Sequence, residues 1–171
     1  MKLLSAFFLM LVSVCASAQN QYETIDDNGT KIFKGIISRD LLEKEPSFTW
    51  YAENKTGYKP NAQALEALKK NADSIQLLVY MGTWCGDSHF IIPKFFALTD
   101  AAGVKPSHIS LIGVDRSKKT LGYLSESLNV LNVPTIIVLK DGKELGRVVE
   151  YGKSGQFDKD LGEILAGQVA K

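Results

Sequence analysis

The sequence predicts an α/β fold, a mostly parallel central sheet made mixed by a closing hairpin and flanked by helices, on three observations. Ile75 to Met81 and Ile109 to Val114 are almost unbroken apolar runs, as expected of strands covered on both faces. Between them, His89 to Ala102 places Phe90, Ile91, Phe95 and Leu98 at helical spacing and ends at Gly103, so strand, helix and strand imply a parallel pair. Beyond them, Thr135 to Leu139 runs through the turn pair Asp141-Gly142 into Leu145 to Val149, which reads as a hairpin.

The chain has 171 residues, of which 23% are charged, the profile of one globular domain. Residues 1–18 read as a signal peptide: Lys2 gives the positive start, Leu3 to Val14 the apolar run, and Ala16-Ser17-Ala18 the small residues before cleavage. That run is short of the roughly 20 apolar residues needed to cross a bilayer. The bulky Val14 before Cys15 argues against lipid attachment there. Cleavage removes Cys15 and leaves Cys85 as the single cysteine, so the mature chain forms no internal disulfide. It also removes Lys2, leaving 19 basic against 19 acidic residues, without the basic field that nucleic-acid binding uses.

Residues 19–29 are polar and unpatterned and read as a flexible lead-in. Residues 30–74 read as an N-terminal extension packed on the domain. It comprises a β-prone run with Ile32, Phe33, Ile36 and Ile37, a short helix capped by Ser38, an aromatic connector from Phe48 to Tyr58, and an amphipathic helix from Asn61 to Asn71. Residues 75–171 form the main domain, with a further helix expected over Lys118 to Leu128 and a closing one over Phe157 to Leu165. Asn28-Gly29-Thr30 and Asn54-Lys55-Thr56 match the glycosylation acceptor pattern, which carries no meaning in a bacterial chain.

Met81-Gly82-Thr83-Trp84-Cys85-Gly86-Asp87-Ser88 leaves a buried strand and enters a helix. Cys85 thus falls where unpaired backbone N–H groups and the helix dipole favour a thiolate. Asp87, two residues on, opposes that effect on the sulfur. His89 reads as an ordinary helical histidine, and neither it nor His108 has a partner at metal-ligand spacing, so no metal is expected.

On Trp84-Cys85-Gly86, Pro93 and Val133-Pro134-Thr135 the sequence resembles the thioredoxin superfamily, over about Leu77 to Leu165. A narrower likeness is to exported bacterial thioredoxin-like proteins with a Trp-Cys-Gly-Asp-Ser motif and an N-terminal extension. The resemblance implies a thioredoxin fold, a cis Pro134 facing Cys85, a Val133 backbone that pairs with an extended substrate, and Trp84, Gly86 and Asp87 in the docking surface. Two positions depart from the family: Ser88 replaces the resolving cysteine, and Val79 replaces the buried acid of the preceding strand. A dithiol cycle is therefore excluded. The expected chemistry is monothiol disulfide exchange, with Cys85 as nucleophile, Ser88 donating a hydrogen bond to the sulfur, and an outside thiol such as glutathione finishing the reaction. No other cofactor is expected. The expected partners are cysteine-containing exported proteins or small thiols in the periplasm, with no nucleic acid and no stable membrane insertion. The alternative is a redox-inactive binding or chaperone-like module on the same fold.

Overall fold

A computed structural model describes residues 21–167; the signal peptide read over 1–18 lies outside them. The strands are β1 (Tyr22–Asp27), β2 (Thr30–Ile37), β3 (Ile75–Met81), β4 (Ile109–Gly113), β5 (Thr135–Lys140) and β6 (Lys143–Val149). The helices are α1 (Arg39–Lys44), α2 (Trp50–Lys55), α3 (Ala62–Asn71), α4 (Gly86–Ala102), α5 (Leu124–Ser127) and α6 (Phe157–Leu165). One six-stranded sheet has the order β1-β2-β4-β3-β5-β6. The sheet is mixed, but it is less parallel than the sequence suggests: only β3 and β4 run together, and every other neighbour is antiparallel.

Short-range chemistry accounts for most boundaries. Ser38 Oγ accepts from the Leu41 N–H at the start of α1, and Asn61 Oδ1 accepts from the Ala64 N–H at the start of α3. Gly103, at φ 75°, ends α4 in the left-handed conformation that glycine adopts without steric cost. Asp141 (φ 50°) and Gly142 (φ 73°) form the expected two-residue hairpin turn.

Three expectations are corrected. Within the flexible lead-in expected over 19–29, Tyr22–Asp27 is instead a strand that pairs along its full length with β2 through the Asn28-Gly29 turn, where both residues have positive φ. The aromatic connector contains α2, whose Tyr51 is buried while Trp50 packs against the core. The long helix expected over Lys118 to Leu128 is broken, since Lys118, Gly122 and Tyr123 all take positive φ, and a 3-10 turn over Leu121–Tyr123 and the single turn α5 stand in its place.

The alternation along β3 splits the core into two layers. Leu77, Val79 and Met81 face a large cluster that includes Leu42, Tyr51, Leu68, Ile91, Phe95 and Leu161, contributed by α1–α4 and α6. Tyr80 faces a smaller cluster with Ile112, Val114, Val130, Val133 and Ile137 on the other side. The extension is not peripheral to this arrangement. Strand β2 pairs with β4, and Arg39 of α1 binds both carboxylate oxygens of Asp100 on α4 at 2.8 and 2.9 Å.

Two phenols, Tyr51 buried and Tyr58 half-buried, bear on stability. Tyr58 donates to Asp158 Oδ2 at 2.7 Å, and burial, reinforced by that carboxylate, raises its pKa. Burial likewise raises Tyr51, whose hydroxyl has no partner among the described residues. A phenol whose folded pKa is raised stabilises the fold fully below the unfolded value and loses that contribution as pH climbs toward the folded one. The urea midpoint is therefore expected to fall above about pH 10. Tyr51→Phe should flatten that fall while holding stability at neutral pH, because it deletes an orphaned polar atom.

Candidate active site

Cys85 sits where β3 hands over to α4. It is the N-cap of that 17-residue helix, at φ −98° and ψ 122°, and no side chain caps the helix there. The turn is closed by Cys85 N–H to the Gly82 carbonyl at 3.0 Å and by His89 N–H to the Cys85 carbonyl at 3.0 Å. The sulfur is partly exposed, and its S–H donates to the Val133 carbonyl at 3.2 Å. The Val133–Pro134 peptide is cis, and both residues are buried. Strands β3 and β5 are antiparallel neighbours with Tyr80 opposite Thr135, so the end of one and the start of the other meet at the same rim of the sheet. That register is what brings Cys85 to Val133 across 48 residues of chain.

Ser88 departs from its expected role. Its side chain is fully buried, and its Oγ accepts from the Gly82 N–H at 3.2 Å, holding the turn rather than the sulfur. The sulfur's hydrogen-bond partner is the Val133 carbonyl instead. Val79 is buried in the larger core cluster, so the strand beneath the site is apolar at the position where the family carries an acid.

Trp84 is half-buried, and its Nε1–H donates to the Val114 carbonyl at 3.0 Å. Gly82 makes room for it, since a Cβ there would lie 2.6 Å from the indole. The Arg116 guanidinium and the Lys118 ammonium lie over the ring at 5.5 and 5.8 Å, and Arg116 also pairs with Asp27. Gly86 is exposed and Asp87 half-buried on the other side. There Tyr151, raised by burial and then by the Asp87 carboxylate and the Cys85 sulfur, tilts against the exposed Phe90 at 5.7 Å.

Sequence reasoning did not find Thr83, Tyr151, Arg116 or Lys118. Thr83 is buried beside a motif already singled out, but its partners are about fifty residues away and leave no local trace. Tyr151 follows β6, whose neighbour Glu150 donates to the Pro134 carbonyl at 2.7 Å, so its nearness to the site comes from sheet pairing. A concavity of about 750 Å³ lies between β6 and α6, and Cys85 is not part of its lining. Among the described residues no group of metal-ligating side chains converges, and no helix is long and apolar enough to cross a membrane.

A thiol at the head of a helix, against a cis-proline strand start in a mixed sheet, defines a protein of the thioredoxin-like class. The chain belongs to the thioredoxin family, whose model, described as Thioredoxin, matches residues 59–163 and so includes α3. It is similar to Thioredoxin H-type 1 of Nicotiana tabacum, 36% identical over 49% of this chain and 64% of that one. It also resembles thioredoxin of Staphylococcus aureus, 31% identical over 56% of this chain and 84% of the relative. Of a TPR repeat-containing thioredoxin of Arabidopsis thaliana, 30% identical, it spans 22%. Two solved structures share the fold at 19% identity. One is an HIV epitope-scaffold, with TM-score 0.52 over 75% of this chain and 90% of that one. The other is a protein of unknown function from Pseudomonas aeruginosa, with TM-score 0.50 over 75% and 88%.

Proposed function

We propose that this is an exported, periplasmic protein that performs monothiol disulfide exchange through Cys85 on cysteine-containing exported proteins or small thiols. The observation that carries the reading is a partly exposed sulfur, the one cysteine among the described residues, at the start of α4 beside the Val133 carbonyl, with Ser88 in place of a second thiol. The Cys85 thiolate attacks one sulfur of a substrate disulfide; a Cys85–substrate disulfide forms, and the other substrate sulfur leaves as a thiolate that takes up a proton. An external thiolate, such as glutathione, then attacks the substrate sulfur of this adduct. It forms the new disulfide with the substrate and returns Cys85 as thiolate, so two thiols and one disulfide enter and leave with no net oxidation. A free cysteine of the substrate itself performs the same release when disulfides are being rearranged.

Val133 and Pro134, with Trp84, Gly86 and Asp87, supply the docking rim, and the exposed Phe90 and Tyr151 extend it on one side. When the substrate arrives, the Val133 carbonyl exchanges its bond with the thiol for one with an extended peptide backbone. Export is supported by the basic start, apolar run and small-residue junction of residues 1–18.

The test is recovery of a scrambled disulfide protein in glutathione buffer, with the mature chain compared with Cys85→Ala. The wild-type chain should raise the yield and carry a glutathionyl or substrate adduct on Cys85 by mass spectrometry. Equal yields from the two chains would leave a redox-inactive docking module.

A further inference from the structure

We propose that the N-terminal extension sets the reactivity of Cys85 by gripping Thr83, making Thr83 and His89 positioning residues for the exchange reaction proposed above, on which this inference rests.

Thr83 is held from both ends. Its buried hydroxyl donates to the Lys31 carbonyl at 2.9 Å and accepts from the Phe33 N–H at 3.2 Å, so both of its hydrogen-bonding roles are filled by the backbone of β2. Its carbonyl meets His89 Nε2 at 2.8 Å. A carbonyl only accepts, so Nε2 carries the proton. The His89 ring is in turn stacked on Trp50 of α2, with centroids 4.2 Å apart and planes within 10°. The backbone N–H of the same histidine donates to the Cys85 carbonyl at 3.0 Å. One residue therefore pins the carbonyls on either side of Trp84, through its side chain toward Thr83 and its main chain toward Cys85.

The outer parts of this grip come from outside the segment that matches the family. Lys31, Phe33 and Trp50 all precede residue 59, where the match begins. Inside that segment the turn is held by the Cys85–Gly82 and Gly82–Ser88 bonds and by the two bonds of His89, and the extension adds the clasp on the Thr83 hydroxyl and the stack on the His89 ring. A two-sided hold on Thr83 fixes the backbone torsions that aim the sulfur at the helix N-terminus and at the Val133 carbonyl, and small errors in such placement cost large factors in rate. The extension is thus a brace for the reactive turn.

Two conservative pairs in the full mature chain test this. Thr83→Val removes both hydroxyl bonds at nearly constant volume, and Thr83→Ser keeps them. His89→Leu removes the ring donor, and His89→Gln keeps an amide donor at similar reach. The readout is the rate of Cys85 alkylation by iodoacetamide at neutral pH, with the melting temperature measured beside it. Thr83→Val and His89→Leu are expected to slow alkylation by about 10-fold, and Thr83→Ser and His89→Gln to stay within about twofold of the parent chain. Folded Thr83→Val and His89→Leu chains that react at the parent rate, even with lowered melting temperatures, make the contacts structural only and overturn the proposal. Slowing that the conservative partners do not rescue overturns it as well. Alkylation reads the sulfur directly and needs no substrate, so it separates failure here from failure of the exchange reaction.

Discussion

Ser88→Cys is expected to convert a protein that holds its mixed disulfide until an outside thiol arrives into one that releases it unaided. Residues 85 and 88 lie at the first turn of α4, one helical step apart on the same face. A thiol at residue 88 attacks the Cys85 sulfur of the adduct, forms an internal disulfide and expels the reduced substrate. The attack becomes intramolecular, and the advantage of a correctly held neighbour shortens the adduct lifetime on the order of 10³-fold or more. Turnover then stops unless a reductant recycles the pair. The cost is the bond that the Ser88 hydroxyl accepts from Gly82, for which sulfur is a weak acceptor, about 1 kcal/mol of stability. Non-reducing mass spectrometry after a pulse of disulfide substrate checks the outcome. An adduct on Cys85 as long-lived as that of the parent chain would mean that residue 88 cannot reach the sulfur.

Gly113→Ala is expected to destabilise the fold by about 3 kcal/mol. Gly113 is opposite Gly35 where β2 meets β4, and a Cβ on it would lie 2.1 Å from the Phe33 carbonyl oxygen. The obstacle is backbone in a paired strand, so no side chain can swing away to relieve it. Relief requires β2 to draw back from β4, which also pulls on the Phe33 N–H that holds Thr83. The damage should therefore appear twice, as a lower urea midpoint and as faster hydrogen exchange in β2 than in β3. A midpoint like that of the parent chain would show that the two strands are not held at the observed separation.

The sequence speaks clearly where one short segment carries its own signal. The apolar runs of β3 and β4, the spacing of α4 and the Asp-Gly turn of β5 and β6 all appear where their patterns place them. Cys85 at a helix start is legible for the same reason. Asn28-Gly29 is the same kind of turn signal as Asp141-Gly142, but it overlaps a modification motif and lacks an apolar flank to mark it as a hairpin. Its flank, Tyr22 to Asp27, is polar, because a strand with a single neighbour and little burial needs no apolar alternation. The helix expected over Lys118 to Leu128 fails on positive φ values that two of its three residues, Lys118 and Tyr123, do not advertise. The grip on Thr83, the bond from Cys85 to Val133 and the place of Tyr151 are long-range pairings, and composition carries no record of them. The place of Ser88 in the first turn of α4 is legible in the sequence and its partner is not, since a hydroxyl within one turn can serve either the sulfur or the backbone.

The separation between the thiol and the carbonyl it faces is governed by two adjacent strands locked side by side, not by the peptide that joins them. Tyr80 and Thr135 are fixed opposite each other, while the segment from 115 to 132, which leads from β4 back to β5, is pinned to the core at Val130 and leaves Tyr123 and Leu131 exposed. Rewriting those exposed positions leaves the reactive spacing alone, so they are where such a protein can acquire new recognition without retuning its chemistry.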